Sequence, residues 1–435
     1  MIPTGSRIAA PAPGADAQPT LPLPALVRFA VVLAIVSFTI LQRFGLNLGG
    51  YSVDLALITQ YFLVVSLLLT RLAHVDHASL TLFTACLVVA LASCLLNVQQ
   101  SSIGSLALLL IIYLPFIFHI RPEAEVGVGW HWMLGVYSNV ALFCALCGIM
   151  QFAAQFAIHQ PWLFNFDSDI PSAIRGNNDP YNTVIAVGSL YKSNGFFFVE
   201  PSHFSQTMGI ALIVEIVLLK RLLRIGLLGC ALLLSYSGTG LAVLLIAMMF
   251  PLGRKTAIRL ALLSGFGVLI YWGLGDLLNL GFTLNRVDEF NQEGSSGSAR
   301  FVSPLLLLWW GFDTDAWSAI LGHGPGMILR AIERTTRPHD FFDPTWAKLA
   351  YDYGLLGLTL FVLFVASILN RSRAPSELRV GLFVMWLVMG GYLLIPMKTV
   401  ELQVLALLWP AGAALRRRGA RSSASPMFVG QPTSA

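Results

Sequence analysis

Long runs without a single Asp, Glu, Lys or Arg recur along this chain, as in Phe29–Leu41, Leu80–Leu96, Ile103–Ile120 and Leu356–Leu369. Such a run satisfies its own backbone only as a helix, and many of them together are stable only in a lipid-like solvent. Composition agrees: 56% of residues are hydrophobic and 11% are charged, against about 25% charged in soluble domains. The expected fold class is an all-α polytopic membrane protein with about 12 transmembrane helices and a large outward loop.

The candidate spans lie near 25–42, 52–70, 79–97, 103–120, 129–153, 203–219, 222–236, 239–252, 257–280, 346–369, 378–397 and 401–415. They make one membrane domain over residues 25–415, with polar stretches near 157–198 and 281–345. Residues 1–24, rich in Ala, Pro and Gly, read as a disordered cytoplasmic tail, and residues 416–435 as a basic one. Spans seven and eight are short and could be one helix broken at Ser235–Gly240. Cys144 and Cys147 form a C-x-x-C inside a span without further Cys or His partners, so packing is the expected role of all five cysteines.

The distribution of Lys and Arg sets an orientation. Short connections on one side carry Arg71, Arg121, Lys220, Arg221, Arg224, Arg254, Lys255, Arg259, Arg371, Arg373 and Arg379, followed by the tail arginines. Short connections on the other side carry only Arg43 and Lys398. The amino terminus is then cytoplasmic and both polar stretches lie outside, which in a Gram-negative cell means the periplasm. The formal charge of +5 is accounted for by topology and needs no nucleic-acid partner.

Function is expected in the two polar stretches, because they concentrate the His, Asp, Glu, Arg and Trp that topology leaves unexplained. The first ends in Tyr191-Lys192-Ser193-Asn194-Gly195-Phe196-Phe197-Phe198-Val199-Glu200-Pro201-Ser202-His203. Pro201 suits the first position of a helix. That puts Glu200 at the N-cap, with His203 and Thr207 at helical spacing on its face. A helix N-terminus also offers free N–H groups to a phosphate. A plain capping role for Glu200 is the structural alternative.

The second stretch carries Ser298-Ala299-Arg300 ahead of an apolar Pro304–Trp310 run. That run is expected to lie at the membrane surface with Arg300 at its amino end. A compact Gly322-His323-Gly324-Pro325-Gly326 turn follows, then Arg330, Arg334, Arg337, His339 and Asp343-Pro344. Cations massed beside a membrane helix point to an anion, since guanidinium forks match phosphate oxygens bidentately. Attraction to anionic lipid headgroups is the alternative for Arg330, Arg334 and Arg337. Asp343 before Pro344 repeats the Glu200-Pro201 pattern, and helix capping is its expected role.

In order and spacing, Gly195–Ser202, Ser298-Ala299-Arg300, Gly322–Gly326, His339 and Gly354-Leu355-Leu356-Gly357 resemble the O-antigen ligase and Wzy-type polymerase superfamily over roughly residues 130–410. The Glu200-Pro201-Ser202 variant looks closest to exopolysaccharide polymerases of the xanthan type. The resemblance implies a GT-C-like bundle of about a dozen spans. It implies transfer of glycans from undecaprenyl diphosphate without nucleotide sugar, metal or other cofactor. Arg300 matches the family's loop arginine, and Lys192 stands where a second arginine is usual. The family histidine normally sits nearer the Gly-x-x-Gly. Here His339 lies about one helical turn upstream, and Asp343 occupies the usual register.

The implied enzyme is a metal-independent glycosyltransferase that joins lipid-linked repeats at the periplasmic face of the inner membrane. Donor and acceptor are both lipid-linked oligosaccharides. The bilayer is a partner, and a flippase and chain-length or export proteins are possible ones. Arg300 would stabilise the leaving diphosphate, assisted by Lys192, His203 and one of Arg330, Arg334 and Arg337, with His339, Glu200 or Asp343 as the base. The alternatives are an O-antigen ligase acting on lipid A-core and, from another class, a transporter or flippase of lipid-linked sugars. A transporter would place its polar groups at mid-membrane between repeats.

Overall fold

The structure is a computed structural model. It describes residues 23–48, 51–121, 126–158, 160–176, 183–187, 190–250, 265, 296–313, 316–335 and 341–411. Arg337, His339, the candidate span 257–280 apart from residue 265, and residues 1–22 and 412–435 lie outside the described residues.

The protein is a helical membrane protein. Helices α1 (Ala25–Thr39), α2 (Leu55–Leu69), α3 (His77–Leu96), α4 (Ile103–Tyr113) and α5 (Val126–Ala154) precede the first polar stretch. After it come α6 (Pro201–Val214), α7 (Leu222–Leu234) and α8 (Gly238–Met248). The second stretch is built from short pieces: α9 (Ser296–Phe301), α10 (Ser303–Phe312), α11 (Ala316–Leu321) and α12 (Met327–Glu333). The chain then closes with α13 (Thr345–Arg371), α14 (Ser376–Val388) and α15 (Pro396–Leu402).

Among the described residues, four helical segments are long and apolar enough to cross a membrane: His77–Leu96, Gly129–Ala154, Pro201–Leu219 and Thr345–Arg371. Ala25–Thr39, Leu55–Leu69, Ile103–Ile117, Leu222–Leu234 and Gly238–Met248 are apolar but shorter. Spans seven and eight are two helices, not one broken helix. They are joined through Ser235–Ser237 and both pack on α6. The last helix begins at Pro396, ahead of the expected 401, because proline supplies its first turn.

Helix α6 is the centre of the bundle. All of Pro201–Val214 is buried, against α5, α7, α8 and α14. Its far half is apolar, as a helix surrounded by others requires. Gly209 and Gly240 let α6 and α8 meet closely, since a Cβ on Gly209 would lie 2.7 Å from the Gly240 carbonyl oxygen.

The two polar stretches share one end of the bundle. Arg43, past the end of α1, is fully buried and pairs with Asp167 at 2.7 Å. It also donates to the Asn165 side chain and to the carbonyls of Phe164 and Phe198. Burial pulls its guanidinium below the ordinary value, and Asp167 works against that. The opposite end carries the basic turns: Ala73–Val75 (β3) pairs with Phe118–Ile120 (β4), and Arg371 reaches Asp76 at 2.6 Å. The strands Gly45–Leu48 (β1) with Tyr51–Asp54 (β2), and Ala186–Val187 (β5) with Leu190–Tyr191 (β6), are short antiparallel pairs.

Two local expectations fail here. The surface segment around Pro304 is two helices, with Arg300 in the last turn of α9 and not at the amino end of α10. Pro304 lacks an N–H and crowds the preceding turn, so a helix restarts at Ser303. The spans also hold buried charge, including Lys398, which was expected in a short outward connection. Lys348 and Asp352 are buried in α13, and Lys398 and Glu401 are fully buried in α15. Lys398 therefore belongs to the helix interior and not to an outward connection.

Candidate functional site

Four segments distant in sequence converge at the amino end of α6: residues 192–200, α9, the 341–344 approach to α13, and the Met389–Ile395 turn. Lys192-Ser193-Asn194-Gly195 is fastened to α5 before it reaches α6. Ser193 Oγ donates to the Gly148 carbonyl at 2.9 Å, and Gln151 Nε2 donates to Asn194 Oδ1 at 2.8 Å. Gly195 has φ +66°, a conformation that favours glycine, and a Cβ there would run into the Phe204 ring and crowd that of Phe198. Lys192 is buried in this segment.

Glu200 stands at the N-cap position with extended backbone, but its carboxylate makes no cap bond. Instead Glu200 Oε2 accepts from Ser202 Oγ at 2.6 Å and lies 3.8 Å from Arg300 Nη2. Arg300 Nη1 donates to the Met389 carbonyl at 3.4 Å, and its guanidinium sits 4.8 Å over the Phe342 ring. Phe342 N donates to the Ala299 carbonyl at 3.0 Å, which ties the two loop segments together. Among the described residues, Arg300 makes one long ion pair and one weak hydrogen bond, fewer than its five guanidinium donors can form.

Beneath this pair runs a buried polar seam along α6. The His203 ring packs edge-on to Tyr392 with centroids 5.5 Å apart, and Tyr392 donates to Gln206 Oε1 at 2.6 Å. Lys398 Nζ donates to Thr207 Oγ1 at 2.9 Å and to Glu401 Oε2 at 2.7 Å. Tyr137 OH donates to Glu401 Oε1 at 2.9 Å. Removing one member of a pair this deep leaves a buried charge, a cost of about 3–5 kcal/mol.

Asp343 does not cap α13. The N-cap position falls on Pro344 without a side-chain bond, and Asp343 Oδ2 accepts from Lys348 Nζ at 2.7 Å. Asp343 backs onto Gly391, where a Cβ would lie 2.8 Å from Asp343 Oδ1. The buried Lys348, invisible as a partner in the Asp-Pro pattern, is the reason: an ammonium that dry needs a carboxylate more than the helix end does. Asp343 is thus close to the Tyr392 turn.

The glycine motifs do structural work next door. Asp352 Oδ2 accepts from Gly326 N at 3.0 Å and Oδ1 from Ile328 N at 2.9 Å. Gly354 has φ +70° and kinks α13 where it faces the Ile320 carbonyl, while Gly322 faces Asp352. So the Gly322–Gly326 turn and the Gly354–Gly357 segment are two sides of one backbone crossing. His323 stacks on Tyr351 at 4.6 Å. Arg330 on α12 and Arg334 just past its end are exposed, and Arg330 donates to the Gln100 carbonyl beyond the end of α3. Among the described residues neither is in contact with Arg300.

Compared with family models and with curated proteins, the chain matches none. The site therefore stands on its own geometry. It joins Glu200, Arg300 and His203 as the sequence suggests, and adds Tyr392, Gln206, Lys398, Glu401 and Tyr137. Lys398 and Glu401, three apart at the start of an apolar run, were the available sign of a buried pair.

Proposed function

We propose that the protein is an exopolysaccharide polymerase of the bacterial inner membrane, joining lipid-diphosphate-linked oligosaccharide repeats at its periplasmic face. The observation that carries this reading is the long Glu200–Arg300 contact at the mouth of the central helix. A carboxylate and an underused guanidinium sit side by side where both polar stretches meet the bundle. An acidic diphosphate leaving group would compete for the guanidinium and release Glu200.

Arg300 then stabilises the charge that develops on the departing diphosphate, the largest contribution expected in a poorly hydrated site. Lys192 assists from the buried approach to α6. Glu200 accepts the proton of the attacking sugar hydroxyl, worth about 10²–10⁴-fold. The anomeric carbon–oxygen bond to the diphosphate breaks as the new glycosidic bond forms, with inversion expected. His339, outside the described residues, and Asp343 are the competing bases. His339→Ala, Asp343→Asn and Glu200→Gln, assayed on purified protein, separate the three, since one alone should be severe.

A second reading has support from one observation. A fully buried Lys398–Glu401 pair is the type of group that transporters carry inside the membrane, which fits a flippase of lipid-linked sugars. Deleting the gene separates the classes. A polymerase deletion accumulates lipid-linked single repeats on the periplasmic side, and a flippase deletion leaves them on the cytoplasmic side. Loss of lipid A-core glycan with polymer intact would point to a ligase.

A further inference from the structure

Beside the site, the end of α3 and helix α11 enclose a cleft of about 500 Å³ lined by Leu96, Asn97, Trp317, Ser318, Leu321 and Gly322. Its depth in the bilayer is marked twice. Leu96 closes a helix of membrane length, and Trp309, Trp310 and Trp317 are all more than half exposed, as headgroup-level aromatics are. The rim is basic. The 322–330 segment runs along the end of α3 through Asn97 Nδ2 donating to the Gly322 carbonyl (3.3 Å), Ser102 N to the Pro325 carbonyl (2.8 Å) and Arg330 to the Gln100 carbonyl. Arg334 lies one helical turn beyond Arg330 and is also exposed, with Glu333 the acidic group beside them.

We propose that this cleft is a binding site for an anionic phospholipid, with one acyl chain between Leu96, Trp317 and Leu321 and the phosphate at Arg330 and Arg334. A slot walled by Leu96, Trp317 and Leu321, with two exposed guanidinium groups on the segment that leads from Gly322, matches an acyl chain and a phosphate in the same molecule. The Arg330–Gln100 contact fixes one of those cations in place before any lipid arrives. Arg330 and Arg334 then serve the bilayer and not the leaving diphosphate. Lipid seated here would brace α11 and α12 against α3 and α13, holding the second polar stretch over the site.

The test is native mass spectrometry of the purified full-length protein with dioleoylphosphatidylglycerol, dioleoylphosphatidylcholine or a polyprenyl diphosphate added in turn. Wild type should retain phosphatidylglycerol in preference to phosphatidylcholine by about tenfold or more. The Arg330→Gln, Arg334→Gln double variant should lose that preference. Leu96→Asp, at an exposed position on the cleft wall, should lose the lipid while keeping both arginines. Equal retention of the two phospholipids by wild type, or unchanged phosphatidylglycerol retention in both variants, overturns the proposal. Displacement of phosphatidylglycerol by polyprenyl diphosphate at equal concentration would also overturn it, by assigning the cleft to substrate.

Discussion

Glu200-Pro201 and Asp343-Pro344 are the same local signal, an acid followed by a proline at the head of a long helix, and they have different fates. Glu200 turns to Arg300, 100 residues away in sequence, across a loose 3.8 Å contact. Asp343 turns to Lys348 in its own helix across a tight 2.7 Å one. Neither carboxylate caps its helix. The cation that each acid meets separates them: a buried ammonium one turn in holds Asp343 tightly, whereas Arg300 holds Glu200 across a longer contact. On the proposed function, tight pairing serves the fold and loose pairing serves the chemistry.

The largest effect that could break this contrast is at Arg300. Arg300→Ala should reduce polymer in a complementation assay by about 10²–10³-fold or more at normal protein level, and Arg300→Lys should restore little because it lacks the planar fork. Next come the two acids. Glu200→Gln should lower the rate by about 10²-fold or more, while Asp343→Asn, which still accepts from Lys348, should stay within a few-fold of wild type. Purified-enzyme rates check both, and a severe Asp343→Asn would reverse the assignment.

Lys348→Met sharpens the structural half. It should lower unfolding stability by about 1–3 kcal/mol, less than a fully buried pair would, because Asp343 keeps part of its water. Its activity below the melting transition should remain. Thermal unfolding with parallel activity assays separates these.

The smallest effect lies at the far end of the bundle, in a pair that only holds the fold. Burial works to raise the Asp76 carboxyl, but hydrogen bonds from Ser79 and the Arg371 guanidinium outweigh it and bring it down to about 2. A carboxylate lowered in the folded state contributes stability above its unfolded value of about 3.9 and loses it as pH falls through about 2. Asp76→Asn should therefore flatten the loss of stability between about pH 4 and pH 2, as measured by denaturation across that range.

Sequence alone made much of the frame legible, and the reasons are particular. Uncharged runs such as Leu80–Leu96 admit only a helix, and a proline such as Pro201 marks where α6 begins. The joining of both polar stretches at one end was readable from where Lys and Arg fall. The partners of single charges were not. Lys398 looks like an outward connector when it is counted as a charge at a span edge; its spacing to Glu401 hinted at a pair, but nothing local pointed to Thr207 and Tyr137 around it. Arg43 likewise counts as one positive charge in a short loop, while in the fold it clamps Phe164, Asn165, Asp167 and Phe198. Tyr392 and Gln206 lie 186 positions apart, and only tertiary packing shows that they share a hydrogen bond.

The most direct measurement is elongation of a synthetic polyprenyl-diphosphate-linked repeat by purified protein, following the product ladder and released polyprenyl diphosphate together. Wild type should yield both in step, and Arg300→Ala and Glu200→Gln should yield neither while melting as wild type does. A wild-type ladder from Arg300→Ala or Glu200→Gln would contradict a transfer centre at this pair.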